Sequence, residues 1–324
     1  MSSSEVTRIL VTGASGQLGR KLVPRLLEAE YKVRAHYRTE EKAGRWKPQR
    51  AEPVFGDITE PGWLIDAVKG CDVVIHCAAM VSMRPGREEL ARRVNVDGTR
   101  AVIDACKANN VKRLIYVSSI VTVGASDNGK PIDETARFNL ENSGSPYIDT
   151  KREAEQMVLQ ANGSDLESII VNPSIMISPP DREVTEKDLK KIPKWIPFYF
   201  DFGINLVSAD DVITGIIAAI DKGRAGERYL LTGDNLNPDI VFALAGKYLG
   251  IKRPWIRLPR TALYLIALVV ELRAKIRNKH PKFHRGLARM TKYRFIYSNE
   301  KARRELGFEP ETIEEVVKRI VSKL

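Results

Sequence analysis

The stretch Arg8-Ile-Leu-Val-Thr-Gly-Ala-Ser-Gly-Gln-Leu-Gly19 decides the fold. Its first half is a short apolar run, which is typical of a strand buried on both faces. Its second half places Gly13, Gly16 and Gly19 in the turn before a helix. Gly13 permits a tight turn, Gly16 lets backbone N–H groups approach a pyrophosphate, and Gly19 lets the helix pack closely. In this strand–turn–helix context the glycines predict a phosphate-binding loop.

Strands alternate with long helices on either side of that loop. Because this pattern requires βαβ crossovers, it predicts an α/β fold with a doubly wound parallel sheet of the Rossmann type. After Pro173 the chain becomes rich in proline and aromatic residues, and from 238 it is mostly helical. We therefore expect a Rossmann domain of residues 1–173 plus 207–233, and a smaller, mostly helical substrate domain of residues 174–206 plus 234–324. The expected strands are 8–12, 33–37, 73–75, 114–117, 168–171 and 228–232, and the expected helices 17–29, 87–109, 146–161 and 210–222.

The net charge of +11 comes from one segment. Residues 251–294 hold 13 Lys and Arg and one acid, Glu271, whereas the rest of the chain is balanced. A local patch argues against a binding surface for nucleic acid, and no nucleic-acid motif accompanies the charge. Within the segment, 260–277 reads as a helix whose first half is apolar and whose second half is basic. Two interpretations stay open: a core helix or pocket wall with solvated cations, or contact of 255–294 with an anionic membrane surface.

The cysteines and the chain termini suggest a cytoplasmic protein. Cys71, Cys77 and Cys106 lie in apolar surroundings without metal-ligand spacing, so we expect reduced thiols and no metal site. The N-terminus has no secretory signal pattern. The longest uncharged apolar stretch, 261–270, is about half of a membrane-spanning helix. We expect a cytoplasmic location, with peripheral contact on the inner membrane surface as an addition.

The end of the second strand bears on the dinucleotide that the loop would hold. An acid here usually binds the adenosine ribose of NAD, but this chain has Tyr37 and Arg38, with Lys42 close behind. An arginine can meet a 2′-phosphate with a charge-assisted contact, so NADP is favoured over NAD. The alternative is that Arg38 is a solvated surface charge. Asp57, after the third strand, would suit the adenine amino group.

A tyrosine and a lysine one turn apart open the helix that begins at Pro146. Tyr147 and Lys151 share a face at i and i+4. An ammonium beside a phenol favours the phenolate, so the tyrosine could act as an acid or base. A hydroxyl partner is expected at Ser118 or Ser119, where the fifth strand ends. A solvated helix face is the alternative interpretation of the pair.

Together these motifs resemble the extended short-chain dehydrogenase/reductases of the NAD-dependent epimerase/dehydratase superfamily. Within it the chain is most similar to the dihydroflavonol reductase-like and 3β-hydroxysteroid dehydrogenase-like branch. The residues that match span nearly the whole chain: Thr12-Gly13-x-x-Gly16-x-x-Gly19, His76-Cys-Ala-Ala79, Asn95-Val-Asp-Gly-Thr99, Val117-Ser-Ser119, Tyr147-x-x-x-Lys151, Val171-Asn-Pro173, Val207-Ser-Ala-Asp-Asp-Val212 and Ala302-Arg-Arg-Glu-Leu-Gly-Phe308.

The resemblance implies a role for each matching residue. Ser119, preferred to Ser118 for its spacing to Gly124, would bind the reacting oxygen, and Tyr147 would transfer the proton. Lys151 would lower the pKa of Tyr147 and hold the nicotinamide ribose, and Asn95 would support the site from the neighbouring strand. A homodimer through a four-helix arrangement is also implied. The expected cofactor-binding residues are Gly13, Ser15, Gly16, Gln17, Leu18, Arg38, Asp57, Ile58, Cys77, Ala78, Ala79, Tyr147, Lys151 and Pro173.

The expected activity is NADP-dependent hydride transfer to or from a small hydrophobic ketone or secondary alcohol. An aromatic stretch, 195–202, would form a lid over the substrate or pack in the core of the small domain; lysines 187, 190, 191 and 194 before it could hold a diphosphate. Two alternatives stay open, a nucleotide-sugar epimerase that retains its cofactor and a non-catalytic cofactor-sensing protein. Ile120 and Val121 stand where dehydratases of the superfamily place an Asp-Glu pair. The family's Arg-Pro and Tyr-Gly-Pro are replaced by Asn172-Pro173 and Ile177-Ser178-Pro179, which weakens substrate analogy.

Overall fold

A seven-stranded parallel sheet forms the centre of the computed structural model, which describes residues 7–44, 47–82, 86–141, 143–179, 197–277, 280–281 and 283–322. The strands of the chain are β1 (Arg8–Thr12), β2 (Lys32–Tyr37), β3 (Glu52–Phe55), β4 (Val73–His76), β5 (Arg113–Val117), β6 (Glu167–Pro173), β7 (Ile175–Ile177), β8 (Phe198–Tyr199), β9 (Ile204–Ser208), β10 (Arg228–Leu231), β11 (Asp234–Leu236) and β12 (Ile256–Arg257). The central sheet has the order β10-β6-β5-β4-β1-β2-β3. This order reverses between β1 and β4, which is where a crevice for a ligand opens in such sheets.

The helices are α1 (Gly19–Glu28), α2 (Glu40–Ala43), α3 (Leu64–Val68), α4 (Glu88–Arg92), α5 (Gly98–Ala108), α6 (Pro146–Ala161), α7 (Ala209–Lys222), α8 (Pro238–Leu249), α9 (Arg260–Ile276), α10 (Arg285–Met290), α11 (Glu300–Leu306) and α12 (Ile313–Val321). The predicted α/β, doubly wound fold is confirmed, with the predicted strands and helices close to their observed bounds. The predicted helix 87–109 differs in one respect: a π-helical segment, Arg93–Asp97, separates α4 from α5.

The central strands β1, β4 and β5 are mostly apolar because helices cover both faces of the sheet. Successive residues of β1 point to opposite sides: Ile9 and Val11 join one buried cluster and Leu10 joins the other. The first cluster includes side chains of α1 and α7, and the second includes side chains of α3, α5 and α6. The hydrophobic effect therefore fixes which helices lie on which face.

Within the described ranges, the chain after β6 contributes two small sheets, β11-β9-β7 and β12-β8, and, beyond α7, the helices α8 to α12. Ala302 and Leu306 of α11, with Phe308, are buried in the cluster on the α1 side of the central sheet. The proposed domain boundaries stay a prediction. Within the described ranges, no helix combines the length and the apolar character needed to cross a membrane.

A third hydrophobic cluster covers the carboxyl edge of β5. It joins Ile120 and Val121, which follow that strand, to Tyr147 of α6 and to Leu287 and Met290 of α10. The C-terminal helices thereby close over the edge of the sheet at which ligands of doubly wound folds bind.

Candidate active site

The glycine loop is shaped by backbone contacts too close for any other residue. Gly13 has a φ of +72°, and a Cβ added there would lie 2.8 Å from the Cα of Ala78. A Cβ on Gly19 would lie 2.3 Å, and one on Gly16 3.2 Å, from the carbonyl oxygen of Gly13. The Gly16 amide donates to the Gly13 carbonyl, and the Arg20 amide donates to the Gly16 carbonyl. The amides of 17–19 lie between these two at the N-terminus of α1, so the loop fits a dinucleotide pyrophosphate.

The other loop residues assigned to the cofactor lie around that turn. Ser15 is half-buried, Leu18 is buried at the start of α1, and the exposed Gln17 donates from Nε2 to the Ser178 hydroxyl over 3.4 Å. Ile58 is buried, and its side chain would lie 2.9 Å from a Cβ on Gly98.

His36, to which the sequence analysis gave no role, fastens the glycine loop to the neighbouring strands. The Gly13 N–H donates to its Nδ1 over 3.2 Å, and its Nε2 donates to the Gly56 carbonyl over 2.8 Å. The ring stacks on Trp63 with centroids 4.2 Å apart. Burial lowers the pKa of His36. The histidine is therefore neutral, as one accepting and one donating nitrogen require.

Arg38 and Asp57 stand together at the adenosine side of the crevice. Arg38 is exposed beyond the end of β2. Burial raises the pKa of Asp57, but hydrogen bonds from Thr59 and the charges of Arg38 and Arg93 outweigh it, so the pKa lies below its ordinary value. The carboxylate accepts from the Thr59 amide over 2.9 Å and from the Thr59 hydroxyl over 2.8 Å. A charged arginine therefore sits beside an ionised aspartate at this end.

The loop after β4 lies against the glycine turn through a chain of hydroxyls and one histidine. The amides of Cys77 and Ala78 donate to the Thr12 hydroxyl over 3.1 and 3.2 Å. The hydroxyls of Thr12 and Thr99 lie 2.7 and 3.0 Å from the two ring nitrogens of His76. Burial, with the charge of Lys151, lowers the pKa of His76 to about 3. Neutral His76 thus links the end of β1 to the first turn of α5.

Asn95 lies in that π-helical segment, not on a strand as the resemblance implied. Its Oδ1 accepts from the Met80 amide over 2.7 Å. Its Nδ2 donates to the Met80 carbonyl over 3.1 Å and to the Thr150 hydroxyl over 3.0 Å. The extra residue of a π-turn re-aims a side chain, and such turns often occur at functional sites. Here the turn lets one amide tie the loop that contains Ala79 to the first turn of α6.

Ser119 and Tyr147 meet at the carboxyl edge of β5. Ser119 caps the short turn Ile120–Thr122, and its hydroxyl lies close enough to that of Tyr147 to lower the pKa of the tyrosine. The Ser118 hydroxyl instead lies 3.4 Å from that of Thr122, away from the tyrosine. Burial raises the pKa of Tyr147, and the Ser119 hydroxyl lowers it only in part. The phenol is therefore protonated at neutral pH.

Lys151 is buried one turn along the same helix, with 2% of its surface exposed. Its ammonium donates to the Val117 carbonyl over 2.8 Å and lies 4.0 Å from the centre of the Tyr116 ring. Burial lowers the pKa of Lys151 to about 7, against the opposing charge of Glu155. The expected lowering of the pKa of Tyr147 by Lys151 is not seen in the chain alone, because burial dominates and the ammonium is held at Val117.

Glu155, one further turn along α6, is hydrogen-bonded to residues that hold the Ser119 backbone in place. It is fully buried, and Arg228 and Arg152 lie 3.1 and 3.6 Å from its carboxylate. Its Oε2 accepts from the Asn172 amide over 2.7 Å and from the Thr122 hydroxyl over 2.5 Å. Asn172 also donates to the Ser119 carbonyl over 3.0 Å. The asparagine before Pro173, buried at the end of β6, thus connects the carboxylate to the serine.

A cavity of about 740 Å³ opens onto Ser119 and Tyr147. None of the described residues that line it is charged. Phe200 and Phe202, from the aromatic stretch, line it and pack on each other with centroids 5.6 Å apart; Tyr199 packs instead on Phe242. Trp195 and the lysines at 187, 190, 191 and 194 lie outside the described residues. The other lining residues are Gln17, Val81, Ile120, Val121, Ser174, Ile175, Met176, Gly203, Ile204, Leu287, Met290, Thr291, Tyr293 and Phe295.

Comparison with known proteins agrees with this geometry. The profile of the NAD dependent epimerase/dehydratase family matches residues 9–232. The chain belongs to that family. The chain is 30% identical to the 4-hydroxy-2-methyl-3-oxo-4-farnesyl-3,4-dihydroquinoline-1-oxide ketoreductase of Stigmatella aurantiaca over 312 residues, 93% of this chain and 91% of that protein. It is 31% identical to dihydroflavonol 4-reductase of Zea mays over 261 residues, 72% of each protein. The crystal structure of gox2253 superposes with a TM-score of 0.81 at 31% identity over 97% of both chains.

These findings confirm the resemblance to the extended short-chain dehydrogenase/reductases. This member of the epimerase/dehydratase family is an enzyme of the NAD(P)-dependent reductase and dehydrogenase type. The non-catalytic alternative is set aside. Within the described ranges, no group of three or more His, Cys, Asp or Glu side chains is placed to hold a metal ion.

Proposed function

We propose that the enzyme is an NADP-dependent reductase of apolar ketones, or dehydrogenase of the corresponding secondary alcohols. The observation that carries the proposal is the cavity, in which Ser119 and Tyr147 belong to an uncharged, largely aromatic and aliphatic lining. A diphosphate needs cationic partners, so the described lining favours an apolar substrate over a nucleotide sugar. The names of the ketoreductase and dihydroflavonol reductase relatives agree with a carbonyl substrate.

Each side chain of the site has a separate role in carbonyl reduction. When bound, the nicotinamide supplies the hydride for the carbonyl carbon. The Ser119 hydroxyl hydrogen-bonds the carbonyl oxygen, and Tyr147 donates its Oη proton to that oxygen. The raised pKa of Tyr147 keeps the phenol protonated and ready to act as an acid. Lys151, on the same face of α6, offsets the negative charge left on the phenolate.

The proposal is tested by cofactor consumption with a panel of ketones of increasing apolar size. We expect NADPH to be oxidised stoichiometrically with alcohol formation, and kcat/KM to rise with the apolar size of the ketone, roughly tenfold for each two added methylenes. Nucleotide sugars serve as the comparison set. Cofactor that copurifies with the protein, and is not consumed while a nucleotide sugar is epimerised, would overturn the proposal in favour of the epimerase.

The preference for NADP makes a separate prediction about Arg38. We expect Arg38→Gln to raise the Kd for NADPH about tenfold or more and to leave the Kd for NADH nearly unchanged, because only NADPH carries the 2′-phosphate that a guanidinium binds. Fluorescence titration of both cofactors measures this. Arg50→Gln, which removes an exposed cation from a neighbouring loop, is the control. Equal weakening of both cofactors would refute a 2′-phosphate contact. The homodimer implied by the family stays a prediction.

A further inference from the structure

Helix α9 has a buried face and an exposed apolar face. Leu263 and Ala267 are buried against the protein. Leu265, Val269, Leu272 and Ile276 repeat at the spacing of a single helical stripe, with Ile266 beside them, and all five are exposed. Ile276 is 85% exposed and Leu265 60%. The sequence left open a core helix or pocket wall, or a helix facing a membrane; in the structure only one face of the helix is buried.

Cations border this apolar stripe on both sides. At 3.6 residues per turn, Arg273 and Arg277 fall along one border and Lys275 along the other. Among the residues that the structure describes, none of these three lies within salt-bridge distance of a carboxylate. The single acid of the segment, Glu271, is already paired with Arg285 at 2.7 Å. The face therefore combines exposed aliphatic side chains with uncompensated positive charge.

We propose that this face of α9 docks on the surface of an anionic membrane. A helix with an apolar stripe and flanking cations lies in the interface, where its apolar side chains enter the headgroup boundary and its cations meet lipid phosphates. A second copy of the chain is disfavoured as the occupant, because two-fold pairing of this face would oppose cations to cations with no free acid in the segment. An anionic lipid surface can accept the apolar stripe in its headgroup boundary and the cations at its phosphates.

The position of α9 suits such contact. Its buried side packs against α10, and Leu287 and Met290 of α10 line the cavity that holds Ser119 and Tyr147. A membrane-docked protein would thus keep its cavity one helix away from the lipid. The docking itself does not depend on the proposed reaction, so either can fail alone.

Flotation of the full-length protein with vesicles tests the proposal. We expect co-flotation with vesicles that contain phosphatidylglycerol at low salt, and at least roughly tenfold less with pure phosphatidylcholine or at high salt. The double variant Leu272→Glu/Ile276→Glu should lose co-flotation. So should Arg273→Gln/Lys275→Gln/Arg277→Gln, which keeps the apolar stripe. Ile65→Glu, at an exposed aliphatic residue of α3, is the matched control and should float like the wild type.

Melting curves and ketone reduction in solution show whether each variant is folded. Absence of the wild-type protein from the floating fraction at low salt would overturn the proposal. Equal flotation of the Leu272→Glu/Ile276→Glu variant and the control would do the same. A dimer that forms with increasing concentration and is dissociated by Leu272→Glu/Ile276→Glu would assign the face to a second copy instead.

Discussion

Replacing Tyr147 with phenylalanine is expected to lower kcat for ketone reduction by about 10²–10⁴-fold, the usual contribution of a general acid. The ring remains in the cavity wall, and only the hydroxyl that meets Ser119 is lost. Because the phenol has its effect in the transition state, kcat and kcat/KM should fall together, and the Kd for NADPH should change far less than kcat. Steady-state NADPH oxidation and fluorescence titration measure the three quantities.

Tyr293→Phe is the matched control for that experiment. Tyr293 lines the same cavity, but its hydroxyl donates to the Asn139 carbonyl over 2.9 Å. The control should keep kcat within about threefold, since it removes a hydroxyl that is engaged elsewhere. If Tyr147→Phe turned over substrate as fast as Tyr293→Phe, the tyrosine would not be the proton donor.

Glu155→Gln is expected to have the second-largest effect, on both stability and pH dependence. The change removes the charge that compensates Arg228 and Arg152 in a buried site, and breaking a buried pair costs about 3 kcal/mol or more of unfolding free energy. It also removes the negative charge that raises the pKa of Lys151 against burial. The pKa of Lys151, about 7 in the wild type, should fall further.

The expected fall in the pKa of Lys151 sets the direction in which the pH profile shifts. If the Lys151 ammonium assists proton donation, kcat/KM for reduction declines as pH rises through the pKa of Lys151. In Glu155→Gln the decline should begin at a lower pH. A purely structural role for Glu155 would lower the melting temperature and leave the pH profile in place. Glu153→Gln, at a partly exposed residue of α6 whose partner is Arg92, is the control.

The fold was predictable from the sequence because its signals are local. The glycine loop, the short apolar strands and the intervening helices each depend on residues close together in the chain. Helices on both faces of the sheet follow from strands whose central residues are mostly apolar. The placement of Ser119, Tyr147 and Lys151 at one edge follows from the same topology. The resemblance to the family added roles that spacing alone leaves open.

The supporting hydrogen bonds were not predictable, because they join residues far apart in the chain. His36 binds the backbone of residues 13 and 56, and Glu155 is compensated by Arg228 from a distant strand. The π-turn at Asn95 adds one residue to a helix, and no proline or glycine pattern in the sequence predicts this turn. The partition of α9 into a buried and an exposed face likewise depends on where α10 packs. For the buried carboxylate of Glu155, the sequence offered one signal: its i, i+4 spacing from Lys151, which places both side chains on one face of the helix.

The hydrogen bonds of His76 with the hydroxyls of Thr12 and Thr99 bear on how a pH–rate profile of the enzyme is interpreted. The Thr99 hydroxyl donates to the Asn95 carbonyl over 2.6 Å, so it must accept from Nε2 of His76, which leaves Nδ1 to accept from Thr12. These bonds place the ring proton of His76 on Nε2. With the pKa of His76 at about 3, this arrangement is the same from mildly acidic to alkaline solution. His76 therefore contributes no inflection to a rate profile near neutrality, where free histidine titrates, whereas Lys151 of α6, with a pKa of about 7, titrates in that range.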